Sequence, residues 1–80
     1  MMVLDVSRSH IKVNLNGKIA TLPGEMFFPK NGKLGFALFL SQIENWDEPS
    51  NTPISKEELD AIVSDMQNEF AKGGHTLVLE

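Results

Sequence analysis

The chain has 80 residues, 41% hydrophobic and 22% charged, with a formal net charge of −4 and no cysteine. That length makes one domain, spanning residues 1–80, and a chain this size buries only about 60% of its unfolded surface, so a deep catalytic cleft is not expected. The composition argues against disorder, and the missing thiols exclude disulfides, thiolate metal sites and cysteine chemistry.

The net charge hides an asymmetry. Residues 1–43 hold five basic and two acidic residues, a net +3, whereas residues 44–80 hold nine acidic and two basic, a net −7. An acidic half suits a basic partner, since complementary fields speed encounter and fix register. The plainer reading is a solvated helix face that keeps the protein in solution. Residues 1–6 lack a basic segment followed by a long apolar one, so no signal peptide is expected. The longest apolar run, residues 36–40, is far short of a membrane helix. A cytoplasmic protein with no membrane association is the expectation.

Residues 3–6 read as a short strand. Ile11, Val13 and Leu15 then alternate with His10, Lys12 and Asn14, a period of two that marks a strand with one buried face. Asn16-Gly17 follows, two residues that tolerate positive φ, and predicts a type I′ hairpin. A two-residue turn sets Leu15 opposite Lys18, Val13 opposite Ala20 and Ile11 opposite Leu22. Lys18 then sits at the hairpin tip with its stem reaching water.

Leu22-Pro23-Gly24-Glu25 reads as a type II turn, with proline at the second position and glycine at the third. Met26, Phe27 and Phe28 resume extended chain, and Pro29-Lys30-Asn31-Gly32 reads as another turn. Residues 34–40 are apolar on both phases and read as a central strand. Gly35 within it marks a bulge or a close backbone approach. Residues 41–52 read as a strand end running into a loop that leads to Pro53.

Ser55-Lys56-Glu57-Glu58 is a capping box, and Ile54 with Leu59 has the spacing of a hydrophobic staple. Leu59, Ile62, Val63, Met66 and Phe70 form one apolar stripe, and Gly73-Gly74 supplies the stop. Residues 56–72 therefore form a helix of roughly 25 Å at about 1.5 Å per residue. Residues 75–80 return as a final strand, beside residues 3–6 or beside the central strand; the sequence leaves both open. The expected fold is α+β: a small antiparallel sheet of about five strands, one long C-terminal helix on one face, then a last strand.

Signatures of catalysis are missing. His10 and His75 stand in no metal-binding or base–nucleophile spacing, the glycines form no phosphate loop, and capping accounts for Glu58 beside Glu57. No enzyme activity, cofactor or metal site is expected. Nucleic-acid binding is a weak reading. Lys12, Lys18, Lys30 and Lys33 with Phe27 and Phe28 offer basic and stacking groups, but the net charge is negative and phenylalanines ordinarily fill the core.

Glu44-Asn45-Trp46-Asp47-Glu48-Pro49 carries the most distinctive chemistry. A tryptophan between acids is a common interface anchor; alternatively, Trp46 folds back over the core and pins the loop. Under either reading the acids face water. Trp46, Asp47, Glu48, Glu44 and Glu57 are the candidate partner-binding residues.

Several of these features occur in an order that resembles the immunity protein 74 family of bacterial polymorphic toxin systems. They are the strand at 9–15, Asn16-Gly17, Pro23-Gly24-Glu25, Trp46-Asp47-Glu48-Pro49, Ile54-Ser55 opening a helix with Glu57 and Glu58, and the acid-ended strand at 75–80. The resemblance implies an α+β fold and a non-enzymatic protein that binds a cognate toxin domain and blocks or distorts its active site. It carries over no functional residue by position. The acidic C-terminal half would suit a basic toxin, such as a nuclease, by mimicking the charge of its substrate, and the solvated-face reading stands beside it. The alternative is a general interaction module or accessory subunit, capturing a peptide on a free sheet edge.

Overall fold

The computed structural model describes residues 1–29 and 33–80. Five strands form one sheet in the order β1-β2-β3-β4-β5. They are β1 (Met2–Val6), β2 (His10–Leu15), β3 (Lys18–Phe27), β4 (Gly35–Leu38) and β5 (Thr76–Leu79). A short 3-10 turn, Leu40–Gln42, follows β4, and the helix α1 spans Lys56–Lys72. The α+β expectation holds, with one helix on one face and a strand after it. The first three pairings are antiparallel, but β5 runs parallel to β4, so the sheet is mixed. The reason is connectivity. Parallel strands require a crossover, and α1 between β4 and β5 provides it. Of the two places left open for the last strand, it takes the one beside the strand at 35–38.

The β2–β3 hairpin has the register its turn dictates: Leu15 opposite Lys18, Val13 opposite Ala20, Ile11 opposite Leu22. Asn16 and Gly17 have φ of 53° and 86°, as a type I′ turn requires. The Asn14 side chain accepts from the Gly17 N–H at 2.9 Å.

The turn expected at Leu22-Pro23-Gly24-Glu25 is absent. β3 runs straight through it, and Gly24 lacks the positive φ of a type II turn. The dipeptide instead marks where β3 changes partner. Up to Pro23 it pairs with β2; from Gly24 onward it pairs with β4. The Pro23 carbonyl accepts from Phe39, and the Gly24 N–H donates to Ser9. A Cβ on Gly24 would collide with the Ala37 carbonyl and the Phe36 ring. Gly35 is a close approach, because the Phe27 ring occupies the space a Cβ would need. The turn expected at 29–32 lies, apart from Pro29, outside the described residues.

The inward phase of the sheet supplies Ile11, Val13, Ala20, Leu22, Phe36 and Leu38 to the core, and α1 adds Ile62 and Met66. Val63 and Phe70 pack partly buried against them. The helix begins with the full capping box: Ser55 accepts from the Glu58 N–H at 3.1 Å, and Glu58 accepts from the Ser55 N–H at 3.0 Å. It ends where Gly74 takes a φ of 71°, the left-handed conformation that glycine adopts without a Cβ penalty. No helix among the described residues is long and apolar enough to cross a membrane.

Candidate functional site

The acid-flanked tryptophan segment forms a closed loop between the 3-10 turn and α1. Its base is tied twice: the Ile54 N–H donates to Glu44 at 2.9 Å, and the Trp46 N–H donates to Thr52 at 2.9 Å. Its side is stitched to β3. The Ile19 N–H donates to the Glu48 carbonyl at 2.9 Å, and the Ile19 carbonyl accepts from Asp47 at 2.7 Å and Glu48 at 3.2 Å. The loop thus takes the edge of β3 that β4 leaves uncovered, since β4 pairs only with Gly24 and beyond.

Trp46 is only 2% exposed and belongs to the core. Of its two readings, the one that pins the loop is the one the fold adopts. Its indole N–H donates to Glu58 Oε1 at 3.4 Å, and Lys18 Nζ lies 5.7 Å from the ring centroid. Trp46 therefore offers a partner no surface of its own. It sets the position of the residues beside it. Glu44, Asp47, Glu48 and Glu57 are all exposed. Asp47 is also anchored, because its carboxylate accepts from the Thr21 hydroxyl at 2.6 Å.

Glu58 does more than cap. Its Oε2 accepts from Lys18 Nζ at 2.8 Å, while Oε1 accepts from Ser55 and Trp46. One carboxylate thereby joins the helix start, the hairpin tip and the tryptophan loop. Lys18, expected to reach into water, instead turns in across Trp46 to this carboxylate, because the first turn of α1 delivers an acid there and the loop an aromatic face. Sequence reasoning found the cap but not the other two partners, which lie 40 and 12 residues away.

Lys18 and the capping hydrogen bonds lower the Glu58 pKa from 4.5 to about 2. A carboxyl with a depressed folded-state pKa stabilises the fold above its unfolded pKa and loses that contribution as pH falls through the folded value. The stability difference between wild type and Glu58→Gln should therefore be constant above about pH 4.5 and shrink as pH falls toward about 2. Urea denaturation across that range tests this. A difference independent of pH would mean that Glu58 does not hold its charge for these partners.

The groups considered for nucleic acid do not converge. Lys18 lies on the helix side and is paired with Glu58, whereas Lys12 falls on the opposite phase of β2. Phe27 lies over Gly35. Phe28 is not a core residue; it is 73% exposed, because it stands just past the end of β3. Lys30 lies outside the described residues. The Ser7 hydroxyl lies 2.9 Å from His10 Nδ1 within the β1–β2 turn, and His75 Nδ1 accepts from the Leu34 N–H at 3.0 Å. Among the described residues no group of three His, Asp or Glu is placed to hold a metal.

Residues 3–80 match the family model described as immunity protein 74. No curated protein and no solved structure matches the chain. The match spans essentially the whole chain, which belongs to the immunity protein 74 family.

Proposed function

We propose that this immunity protein 74 family member binds a cognate bacterial toxin domain and neutralises it by occlusion, without catalysis, in the cytoplasm of a bacterium that carries a polymorphic toxin system. The single observation that carries this reading is the family match over residues 3–80. The geometry supports a particular form of it. Glu44, Asp47, Glu48 and Glu57 are exposed carboxylates in the half of the chain that carries net −7, and the loop bearing three of them is already fixed by hydrogen bonds to β3 and by Trp46. A preorganised surface loses little conformational freedom on binding. A basic toxin domain would be drawn to such a surface by long-range attraction and held in register by its charges.

The first test is affinity capture of the tagged chain from its own cell lysate at low and high salt. The expected result is one retained protein with a basic domain, held at low salt and loosened at high salt. Recovery of nucleic acid alone, or of many unrelated peptides, would end the immunity reading. With the partner in hand, Asp47→Lys combined with Glu48→Lys should slow association at low salt by roughly tenfold or more and flatten its salt dependence. Unchanged association rates and an unchanged salt slope would remove the loop from the interface.

A further inference from the structure

Asn16-Gly17 sets the hairpin register, and the same two residues form a reactive pair. The backbone nitrogen that follows an asparagine can attack its side-chain carboxamide, and glycine puts no Cβ in the way. Of the six asparagines, only Asn16 and Asn31 precede glycine, and Asn31 lies outside the described residues. Asn51 shares a positive φ, 58°, but it precedes Thr52, whose branched side chain crowds the amide. Asn16 and Gly17 are both exposed. Apart from its chain neighbours, no atom lies within 4 Å of where a Cβ on Gly17 would stand, so water and hydroxide reach this amide. The proton they meet there is already held. The turn closes at the Leu15–Lys18 pair, and no backbone carbonyl among the described residues takes the Gly17 N–H. It donates instead to Asn14 Oδ1 at 2.9 Å, an ordinary hydrogen-bond length. Asn14 is half-buried and paired with Ile19 in the sheet, so the acceptor is held by the strand. Removing the proton breaks this bond and sets the carboxamide oxygen against a nitrogen anion.

We infer that Asn16-Gly17 is a site of spontaneous succinimide formation, and that the Asn14 carboxamide is the group that holds it closed in the folded protein. In the reaction the Gly17 nitrogen gives its proton to hydroxide and forms a bond to Asn16 Cγ. The bond from Cγ to the side-chain nitrogen breaks. That nitrogen takes a proton from water and leaves as ammonia, which regenerates the hydroxide. Solvent water then opens the ring at one carbonyl or the other. The product is aspartate, or isoaspartate, in which the main chain runs through the Asn16 side chain. Isoaspartate adds one backbone atom to a two-residue turn, so Leu15 no longer faces Lys18. Lys18 is next in the chain, and its ammonium lies 2.8 Å from Glu58 in the intact protein. Conversion at the tip therefore draws Lys18 off the carboxylate that joins hairpin, helix start and tryptophan loop.

The test is to age the purified chain at mildly alkaline pH, folded and in concentrated urea, and to follow conversion of the Asn16 carboxamide to a carboxylate by mass spectrometry of tryptic peptides. Asn31-Gly32 falls on a different peptide, between Lys30 and Lys33, and its rate in urea is the reference. Asn16 should convert at a comparable rate in urea and clearly more slowly in the folded wild type. Asn14→Leu keeps bulk but accepts nothing. When folded it should convert about two- to tenfold faster than wild type, the factor one ordinary hydrogen bond represents, with no change in urea. Asn14→Asp retains an acceptor for the Gly17 N–H and should stay as slow as wild type. Circular dichroism checks that both variants fold. If Asn14→Leu does not, hydrogen exchange of the wild-type Gly17 amide decides: slowed exchange supports the inference, and exchange at the rate of an unstructured chain overturns it. Folded wild type that converts as fast as the urea sample would sink the proposal outright. Equal rates for wild type and Asn14→Leu, or Asn14→Asp as fast as Asn14→Leu, would remove Asn14 from its protecting role. The isoaspartate fraction should unfold at a lower urea concentration than fresh protein, and an equal midpoint would break the link to Lys18 and Glu58. No toxin enters the experiment, so its failure leaves the proposed function untouched.

Discussion

Replacing Trp46 with alanine is expected to destabilise the fold by about 3–5 kcal/mol, the range for truncating a large buried aromatic side chain. A chain of this length has a total stability of roughly 4–12 kcal/mol at about 0.05–0.15 kcal/mol per residue. The variant should therefore be partly unfolded under ordinary conditions, and urea denaturation will register the loss. Trp46 is 2% exposed and packs in the same cluster as Ile62 and Phe36. It also donates to Glu58 and lies beneath the Lys18 ammonium. Trp46→Phe keeps an apolar ring but loses the N–H donor, so it should cost clearly less than the alanine variant. If Trp46→Ala cost under about 1 kcal/mol, as a surface substitution does, the backbone hydrogen bonds to Ile19 and Thr52 alone would hold the loop.

The second large effect concerns two glycines that both lie in strands, Gly24 in β3 and Gly35 in β4. Gly24→Ala places a methyl group against the Ala37 carbonyl, part of the paired β4 backbone, and against the Phe36 ring in the core. Neither can move without disturbing the sheet. The expected cost is about 1–3 kcal/mol or more, the usual range for overpacking. The three atoms nearest a methyl group at Gly35 all belong to the Phe27 ring, which is half-buried and can swing toward solvent. The cost of Gly35→Ala should be distinctly smaller. Parallel denaturation curves of the two variants give the comparison, and equal losses would show that the Phe27 ring is as firmly fixed as the β4 backbone.

What was legible in the sequence was local. Asn16-Gly17 encodes its own φ angles and hence the hairpin register, and Ser55 with Glu58 encodes the start of α1, because the atoms involved lie within four residues of each other. What was not legible depended on distant partners. Pro23-Gly24 has the composition of a turn, yet it lies in a continuous strand because β2 and β4 claim successive halves of β3. Nothing near Lys18 in the chain announces Glu58. The direction of β5 follows from where α1 delivers the chain. For the candidate site, the acids were legible as charges. Their fixation, by a tryptophan that turns inward and a loop that borrows the edge of β3, required the fold.

The parallel pairing of β4 with β5 also orders events in time. β1 through β4 are sequence neighbours joined antiparallel, so their contacts close over short spans and form early. Gly35 meets Thr76 only after the loop and all of α1 have been placed, and the entropy of closing that long span must be spent before any pairing returns it. During synthesis, β4 therefore presents an unpaired apolar edge until Thr76–Leu79 are free to pair with it. A chain in which that pairing is not yet made exposes the edge of β4 to misassociation, and Thr76–Leu79 complete the sheet.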